Sequence, residues 1–398
     1  MSARLVALSA LLLAFGPGCY PEIRIDDPDG SPPPWDAGFV APTGKCVEAA
    51  GVDLLLVVDN SNSMSEEQAS LAEQLPTLVE RLVDPPDMDR DGSPDWAAVT
   101  DLQVGVVTTD MGTGGFTVPT CATSDFGDDG VLLERSSAPG CPATAPPFLR
   151  FTPAGSDPRA FAEQVGCVAR AGTGGCGFEQ PLEAALKAVA PSAPTSSTPP
   201  GYAPPVFFRG TSGHADGRNA GFVREDTLLA VLVITDEEDC SARDPEIFNP
   251  SSARFGATDL NLRCFVHADE ALTPVARYVE GLTALRASRP DLVAFGVIGG
   301  VPTDLATGAD ATDATYQRIL DDPRMEERID PAMATRLVPS CDVPGRGVAF
   351  PPRRLVQVAR ALGPQRSTVQ SICQDDFSPA AEALARLFGS RACRDFED

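Results

Sequence analysis

Histidine is nearly missing from this chain: His214 and His267 are the only two in 398 residues. A metal hydrolase gathers imidazoles and several carboxylates around its ion to make hydroxide at neutral pH. Two isolated histidines, both in loop-rich stretches, do not supply that set. The sequence has no G-x-S-x-G elbow, no GxxxxGK[ST] phosphate loop and no GxGxxG after its first expected strand. No CxxC pair occurs, which removes zinc ribbons and thioredoxin-like redox motifs. Cations are scarce as well: 31 Lys and Arg stand against 56 Asp and Glu, a net charge of −25. Nucleic-acid binding needs clustered cations that displace counterions from phosphate, and no cluster is present. The same acidity would repel an anionic membrane surface. A non-catalytic role, without nucleic acid, is the expectation.

What remains is a chain able to bury a sizeable core. Hydrophobic residues make up 43%, while 38 Pro and 35 Gly announce many loops. The excess acid reads as a solvated surface, with some carboxylates free to gather around divalent cations.

Residues 1–19 read as an export signal. Arg4 gives the positive start, and 5–15 is an apolar run too short to span a bilayer. Gly16-Pro17-Gly18-Cys19 then resembles a bacterial lipobox, which implies acylation of Cys19; a plain signal peptide cut near this point is the alternative. Residues 20–45, centred on Pro32-Pro33-Pro34, form a stiff tether. Tyr20 after Cys19 carries no Asp-type retention signal, so the expected place is the cell envelope, on the outer membrane or its periplasmic side. One acyl chain holds a membrane only marginally, so stable anchoring needs the multi-chain modification.

Of 11 Cys, ten remain after Cys19, an even set that in an exported chain suggests up to five disulfides. Proximity along the chain suggests Cys121–Cys141, Cys167–Cys176 and Cys240–Cys264.

Regular structure begins near residue 52. The nearly unbroken apolar runs at 52–58 and 227–235 read as strands buried on both faces of a parallel sheet; 102–108, 292–298 and 368–372 are further strands. Helical periodicity marks 65–83, 157–169, 181–189, 272–287, 354–362 and 379–388. Ser65 is placed to cap the first of these, and Pro85-Pro86 to stop it. An edge hairpin is expected within 121–151. Strands alternating with helices predict an α/β, doubly wound, mostly parallel sheet flanked by helices. One domain over 46–398 accommodates it, interrupted by insertions near 191–224, 240–267 and 300–350.

The main signal is VDLLLVVDNSNSM. Asp59, Ser61 and Ser63 are spaced by two just beyond a buried strand, so their oxygens can face one point. Hard cations such as Mg²⁺ take such oxygens. Asp236, in LLAVLVITDEEDCS, ends a second buried strand in the same way. In doubly wound sheets ligands sit at the carboxyl edge where strand order reverses. If these strands flank that reversal, both carboxylates meet in one crevice, and burying them together without a cation costs several kcal/mol. The alternative is that Asp59 only caps the following helix.

These segments resemble the metal-ion-dependent adhesion site of the von Willebrand factor type A, or integrin I-like, family. The family's D-x-S-x-S matches Asp59, Ser61 and Ser63, and its later strand-end Asp matches Asp236. The family's middle-loop ligand falls in AGTGGCGFEQPLEAAL, where Thr173 is the first choice and Glu179 the rival. The resemblance covers the sheet and helices from residue 52 onward, and the wider stretch looks like a group of exported bacterial proteins with this domain. It implies Mg²⁺ or Mn²⁺ with one open coordination position, completed by a carboxylate from a protein partner. A structural lipoprotein whose metal only stabilises the fold is the alternative, and a metal-assisted hydrolase a more distant one.

A separate signal is PDMDRDGSPD, with Asp87, Asp89, Asp91 and Asp95 around Gly92. Lacking a Glu at the twelfth position it is no EF-hand, but it looks like the short calcium loops of exported repeat modules; a solvated acidic turn is the alternative. Asp110, following a strand, reads as a loop cap, with an approach to the metal crevice as the alternative. Glu237, Glu238 and Asp239 read as a solvated turn, one of them a possible outer acceptor for the metal.

Overall fold

The structure, a computed structural model, describes residues 49–136, 138–308, 310–344 and 347–389, with backbone alone at 69–73. The expected leader, Cys19, the tether, Cys46 and Cys393 lie outside these residues. Among the described residues no helix is long and apolar enough to cross a membrane.

The first half of the chain runs β1 (Val52–Val58), α1 (Ser65–Val83), β2 (Leu102–Thr108), β3 (Phe148–Phe151), α2 (Pro158–Ala169), α3 (Pro181–Val189) and β4 (Leu228–Ile234). Two single-turn helices follow, α4 (Arg263–Val266) and α5 (Ala268–Ala271), then α6 (Ala276–Ala284) and β5 (Val293–Gly299). The last part holds α7 (Asp313–Asp321), the ribbons β6 (Ile329–Asp330) with β7 (Met333–Leu337) and β8 (Cys341–Val343) with β9 (Gly347–Ala349), then α8 (Arg353–Leu362), β10 (Ser367–Ser371) and α9 (Ser378–Gly389).

Six strands form one sheet in the order β10-β5-β4-β1-β2-β3. All pair in parallel except β3, which lies antiparallel on β2. Every residue of β1, β2, β4, β5 and β10 is buried, as a sheet covered on both sides requires. Alternation along β1 feeds two cores. Leu54 and Leu56 pack with Leu78 of α1, Val165 of α2 and Leu384 of α9. Leu55 and Val57 pack with Leu186 of α3, Leu282 of α6 and Val358 of α8. The expected α/β fold, with helices on both faces of a mostly parallel sheet, is thus present. Asp53, the one charge inside β1, is buried; it accepts from Arg224 Nε at 2.7 Å and Thr227 Oγ1 at 2.5 Å.

The sheet order sets the place of the site. From β1 the chain moves to β2 on one side, then returns to lay β4 on the other. The reversal falls between β1 and β4, the crevice where ligands collect in such sheets.

Several local expectations change. Ser65 is the first residue of α1, not its cap: Met64 holds that position, without a side-chain cap hydrogen bond. Residues 121–151 give no hairpin among those described, but the single edge strand β3. The helix expected over 272–287 is shorter, since Pro274 cannot donate within a preceding turn. The stretch 300–350 is partly regular. Tyr316, Ile319 and Leu320 bury one face of α7, and Thr312 and Thr315 box its start.

Four disulfides are present: Cys121–Cys176, Cys141–Cys167, Cys240–Cys264 and Cys341–Cys373. The expected Cys240–Cys264 bridge forms, while Cys121–Cys141 and Cys167–Cys176 do not. Nearness in sequence misleads here because α2 ends between Cys167 and Cys176. Beyond it the chain carries Cys176 into a small separate core with Cys121, Phe178, Phe248 and Phe255. Cys167 stays on α2 and meets Cys141, at a Cα separation of 5.5 Å.

Candidate metal centre

The site is built by strand register. Val58 pairs with Thr108 of β2 and with Ile234 of β4, so Asp59, Thr109 and Thr235 leave the sheet side by side. The Asp59 amide donates to Ile234 O at 2.9 Å, holding the two strand ends together. The Asp59 carboxylate is fully buried. It accepts from the Ser61 amide at 2.8 Å, Thr235 Oγ1 at 2.6 Å and Thr109 Oγ1 at 3.4 Å. These bonds fix its orientation before any ligand arrives. Thr109 and Thr235 are positioning residues that a motif search passes over; the signal is their place one residue beyond equal-length strands.

Asp236 sits one residue further along. It is fully buried, and neither carboxylate oxygen has a hydrogen-bond partner. Burial first, then Asp59, Glu237 and Glu67, push it well above the usual carboxylate range. Asp59 is raised too, by burial, against the hydrogen bonds from Thr235 and Ser61. Ser61 and Ser63 hydroxyls meet at 2.8 Å; Ser61 is buried and Ser63 exposed. So the four residues read from the two strand ends converge on one crevice at the carboxyl edge.

The middle loop closes against the same place. The Gly175 amide donates to Asn60 O at 2.8 Å, and a Cβ on Gly175 would overlap the Asn60 side chain. Gln68 of α1 ties Asp59 O (2.5 Å) to Gly172 O (2.8 Å). Thr173 is half-buried in this loop. Glu179 is buried beside the crevice, and burial followed by Asp59, Glu237 and Asp236 raise it well above its ordinary value. Glu179 thus feels the charge of Asp59 and Asp236, while Thr173 has no charge to report its distance.

Two further carboxylates feel the charge of Asp59. Glu237 is raised to about 8 by burial and by Asp59. Glu67, in the first turn of α1, is raised to about 7 by burial, Glu66 and Asp59. The turn after Asp236 is therefore no solvated loop. Glu238 accepts from the Arg354 amide at 2.9 Å, and Asp239 accepts from Arg354 Nε at 2.9 Å and the Leu182 amide at 3.0 Å. Those two hold α8 and α3, while Glu237 feels the charge of Asp59. Five carboxylates here are raised by burial and mutual charge, and their oxygens, with those of Ser61 and Ser63, are of the type hard divalent cations take. No three of these carboxylates, however, bring ligand oxygens within 4.8 Å of one another; among the described residues only Asp87, Asp89 and Asp91 do.

Neither histidine takes part. His214 Nε2 lies 3.0 Å from Asp129 Oδ2, and His267 Nε2 lies 2.9 Å from Thr258 Oγ1. Asp110 serves as a loop cap, accepting from the Gly112 amide at 2.9 Å.

The loop at 87–95 is exposed. One oxygen from each of Asp87, Asp89 and Asp91 lies within 4.8 Å of the others. Asp95 instead accepts from the Met88 amide at 3.0 Å, and Gly92 has φ +94°, where a turn needs glycine. The three carboxylates could hold a metal.

No family model matches the chain, and no curated protein matches it.

Proposed function

We propose that this chain is a metal-dependent binding module of the von Willebrand factor type A kind, carried on an exported lipoprotein anchored at Cys19 in the cell envelope. The observation that carries the reading is the meeting of Asp59 and Asp236 at the strand-order reversal, with both Asp236 oxygens buried and unpartnered. The order of the six sheet strands, numbered along the chain as 3-2-1-4-5-6, supports it. Asp59, Ser61, Ser63, Asp236 and Glu179 would hold the ion, Mg²⁺ or Mn²⁺; Thr173 is the alternative to Glu179. The ion supplies a positive centre that a protein partner's carboxylate completes. The Asp87 loop is proposed as a second site, for Ca²⁺.

A second reading has its own support. Glu67, Glu179 and Glu237 give the crevice more negative charge than one divalent ion neutralises, which suits a cation that stabilises the fold rather than one offered to an acidic partner. The test is a pull-down from envelope extract with wild type and Asp59→Ala, in EDTA and in Mg²⁺. A partner retained only by wild type in Mg²⁺ supports the binding module. Metal-dependent melting with no metal-dependent partner supports the second reading. Equal partner recovery in all four conditions sinks the first.

A further inference from the structure

Lysine stands at only two positions, Lys45 and Lys187; every other strong base in the chain is arginine. Lys45 lies outside the described residues. Lys187 sits on α3, and its side chain is 0% exposed. Its Nζ donates to Asp129 Oδ1 and, at 2.8 Å, to Thr211 Oγ1. The rings of Phe126 and Phe207 flank it, with centroids 5.8 and 5.4 Å from Nζ. The other oxygen of Asp129 faces a third titratable group: His214 Nε2 lies 3.0 Å from Oδ2. An amine, a carboxyl and an imidazole therefore meet between aromatic walls, largely shielded from solvent.

The backbone fixes this meeting. Asp129 has φ +60°, a conformation that residues other than glycine rarely adopt. Gly130 lies against α3, where a Cβ would come 2.9 Å from Ala184 O. Asn219 Nδ2 donates to Gly130 O at 2.9 Å and to Ala188 O at 3.0 Å, tying the loop to the helix. The His214 amide donates to Lys187 O at 2.9 Å. Groups held this way are ordered before any reaction begins. An arginine would serve a plain ion pair better, because its planar fork grips a carboxylate with two parallel hydrogen bonds. Lysine offers instead a nitrogen that becomes a nucleophile once it gives up a proton.

We propose that Lys187 and Asp129 join in an intramolecular isopeptide bond once the chain has folded, with His214 as the proton carrier. Lys187 Nζ adds to Asp129 Cγ; the Nζ–Cγ bond forms and the Cγ–Oδ2 bond breaks. The ammonium gives up two protons, and Oδ2 takes both and leaves as water, with His214 passing them across. Nothing is oxidised or reduced, and no co-reactant is needed. The product replaces a shielded ion pair, whose desolvation offsets much of its attraction, by an uncharged amide that still donates to Thr211. The bond spans a sequence separation of 58, so it restricts the unfolded chain as a disulfide does, and no thiol reductant opens it. Asp128 accepts from Thr108 Oγ1 at 2.7 Å and from Asn60 Nδ2 at 3.3 Å, so the same link pins a loop that rests on the loop after β1. The bond needs no metal, and its presence or absence leaves the reading of the crevice untouched.

The test is peptide mapping by mass spectrometry of the folded full chain, reduced, alkylated and cut with trypsin. Reduction comes first because Cys121–Cys176 joins the same two peptides, 91–135 and 171–209. In wild type they should stay joined after reduction, uncut after Lys187 and lighter than their sum by one water, with fragmentation placing the link on Lys187 and Asp129. Lys187→Arg and Asp129→Ala should lose it. In His214→Gln the linked fraction, followed at successive times after synthesis, should rise about a hundredfold or more slowly. A folded wild type that yields the two peptides separately, cut after Lys187, overturns the bond whether or not any variant folds. A link that maps to Asp128 overturns the assignment to Asp129. Linkage at the wild-type rate in His214→Gln overturns the role of His214 as proton carrier.

Discussion

Replacing Asp236 by Asn should change stability in opposite directions with and without metal. In the metal-free protein Asp236 is fully buried with two unpartnered oxygens, and Asp59 and Glu237 add repulsion. Asn keeps the shape, removes the charge and brings an NH₂ group that can donate to the Asp59 carboxylate. A hydrogen bond to a charged group contributes about 1.5–3 kcal/mol. The metal-free variant should therefore be more stable than wild type by about 1–3 kcal/mol, a rise of a few °C in Tm for a domain this size. With Mg²⁺ the order reverses. Wild type gains about 2.7 kcal/mol at a metal concentration a hundredfold above Kd, while the variant has lost one ligand and gains little. The assay is thermal melting by circular dichroism with disulfides intact, in EDTA and across a Mg²⁺ titration. A variant stabilised by Mg²⁺ as much as wild type would refute the site. A metal-free variant less stable than wild type would refute the claim that Asp236 is held uncompensated.

The remaining predictions concern pH, the disulfides, the anchor and the exposed loop. A carboxyl whose folded value is raised holds its proton longer in the folded chain than in the unfolded one, so stability is present below the unfolded value and is lost as pH rises toward the folded one. For Glu67, moving from 4.5 to about 7 corresponds to about 3 kcal/mol. Metal-free melting temperature should accordingly fall between pH 4.5 and about 7, and saturating Mg²⁺ should flatten the slope; a metal-free protein that grows more stable over this range contradicts the burial of Glu67. Removing Cys341–Cys373, which closes 32 residues, should cost about 3–4 kcal/mol; non-reduced peptide mapping should also recover Cys121–Cys176 and Cys141–Cys167 as linked pairs. Metabolic labelling with palmitate should be lost in Cys19→Ser, and unchanged labelling would remove the anchor. Titration with Ca²⁺ should show a weak site lost in Asp87→Asn but kept in Asp59→Asn.

Much of the fold was legible because its strands are long, apolar and evenly spaced by helices. β1 and β4 could be read from unbroken runs, and α3 from its own periodicity. What failed was non-local. The cysteines at 121, 141, 167 and 176 lie close enough in sequence to invite nearest-neighbour pairing, yet α2 carries one pair apart and a separate small core gathers the other. The short apolar face of α7 was hidden in a stretch read as insertion, because three buried residues in nine give too little periodic signal. β3 needs only Leu149 and Phe151 buried against β2, and so resembles loop.

The same distinction governs the proposed metal centre. Asp59, Ser61, Ser63 and Asp236 could be proposed from sequence because each follows a buried strand, where the pattern itself fixes the residue's address. Glu179 could be named only as the rival to Thr173, Glu237 only as one of three candidate outer acceptors, and Glu67 not at all, because where they lie depends on how a helix, a loop and a turn are folded onto the strand ends. They change the chemistry rather than the location. Two serines and two aspartates would leave a divalent ion with a residual positive face and an appetite for an external carboxylate. The carboxylates buried in this region are held above their ordinary values. An ion bound at the proposed site would therefore expel protons, and its affinity should rise with pH. A partner that docks through an acidic group would have to overcome the same negative field.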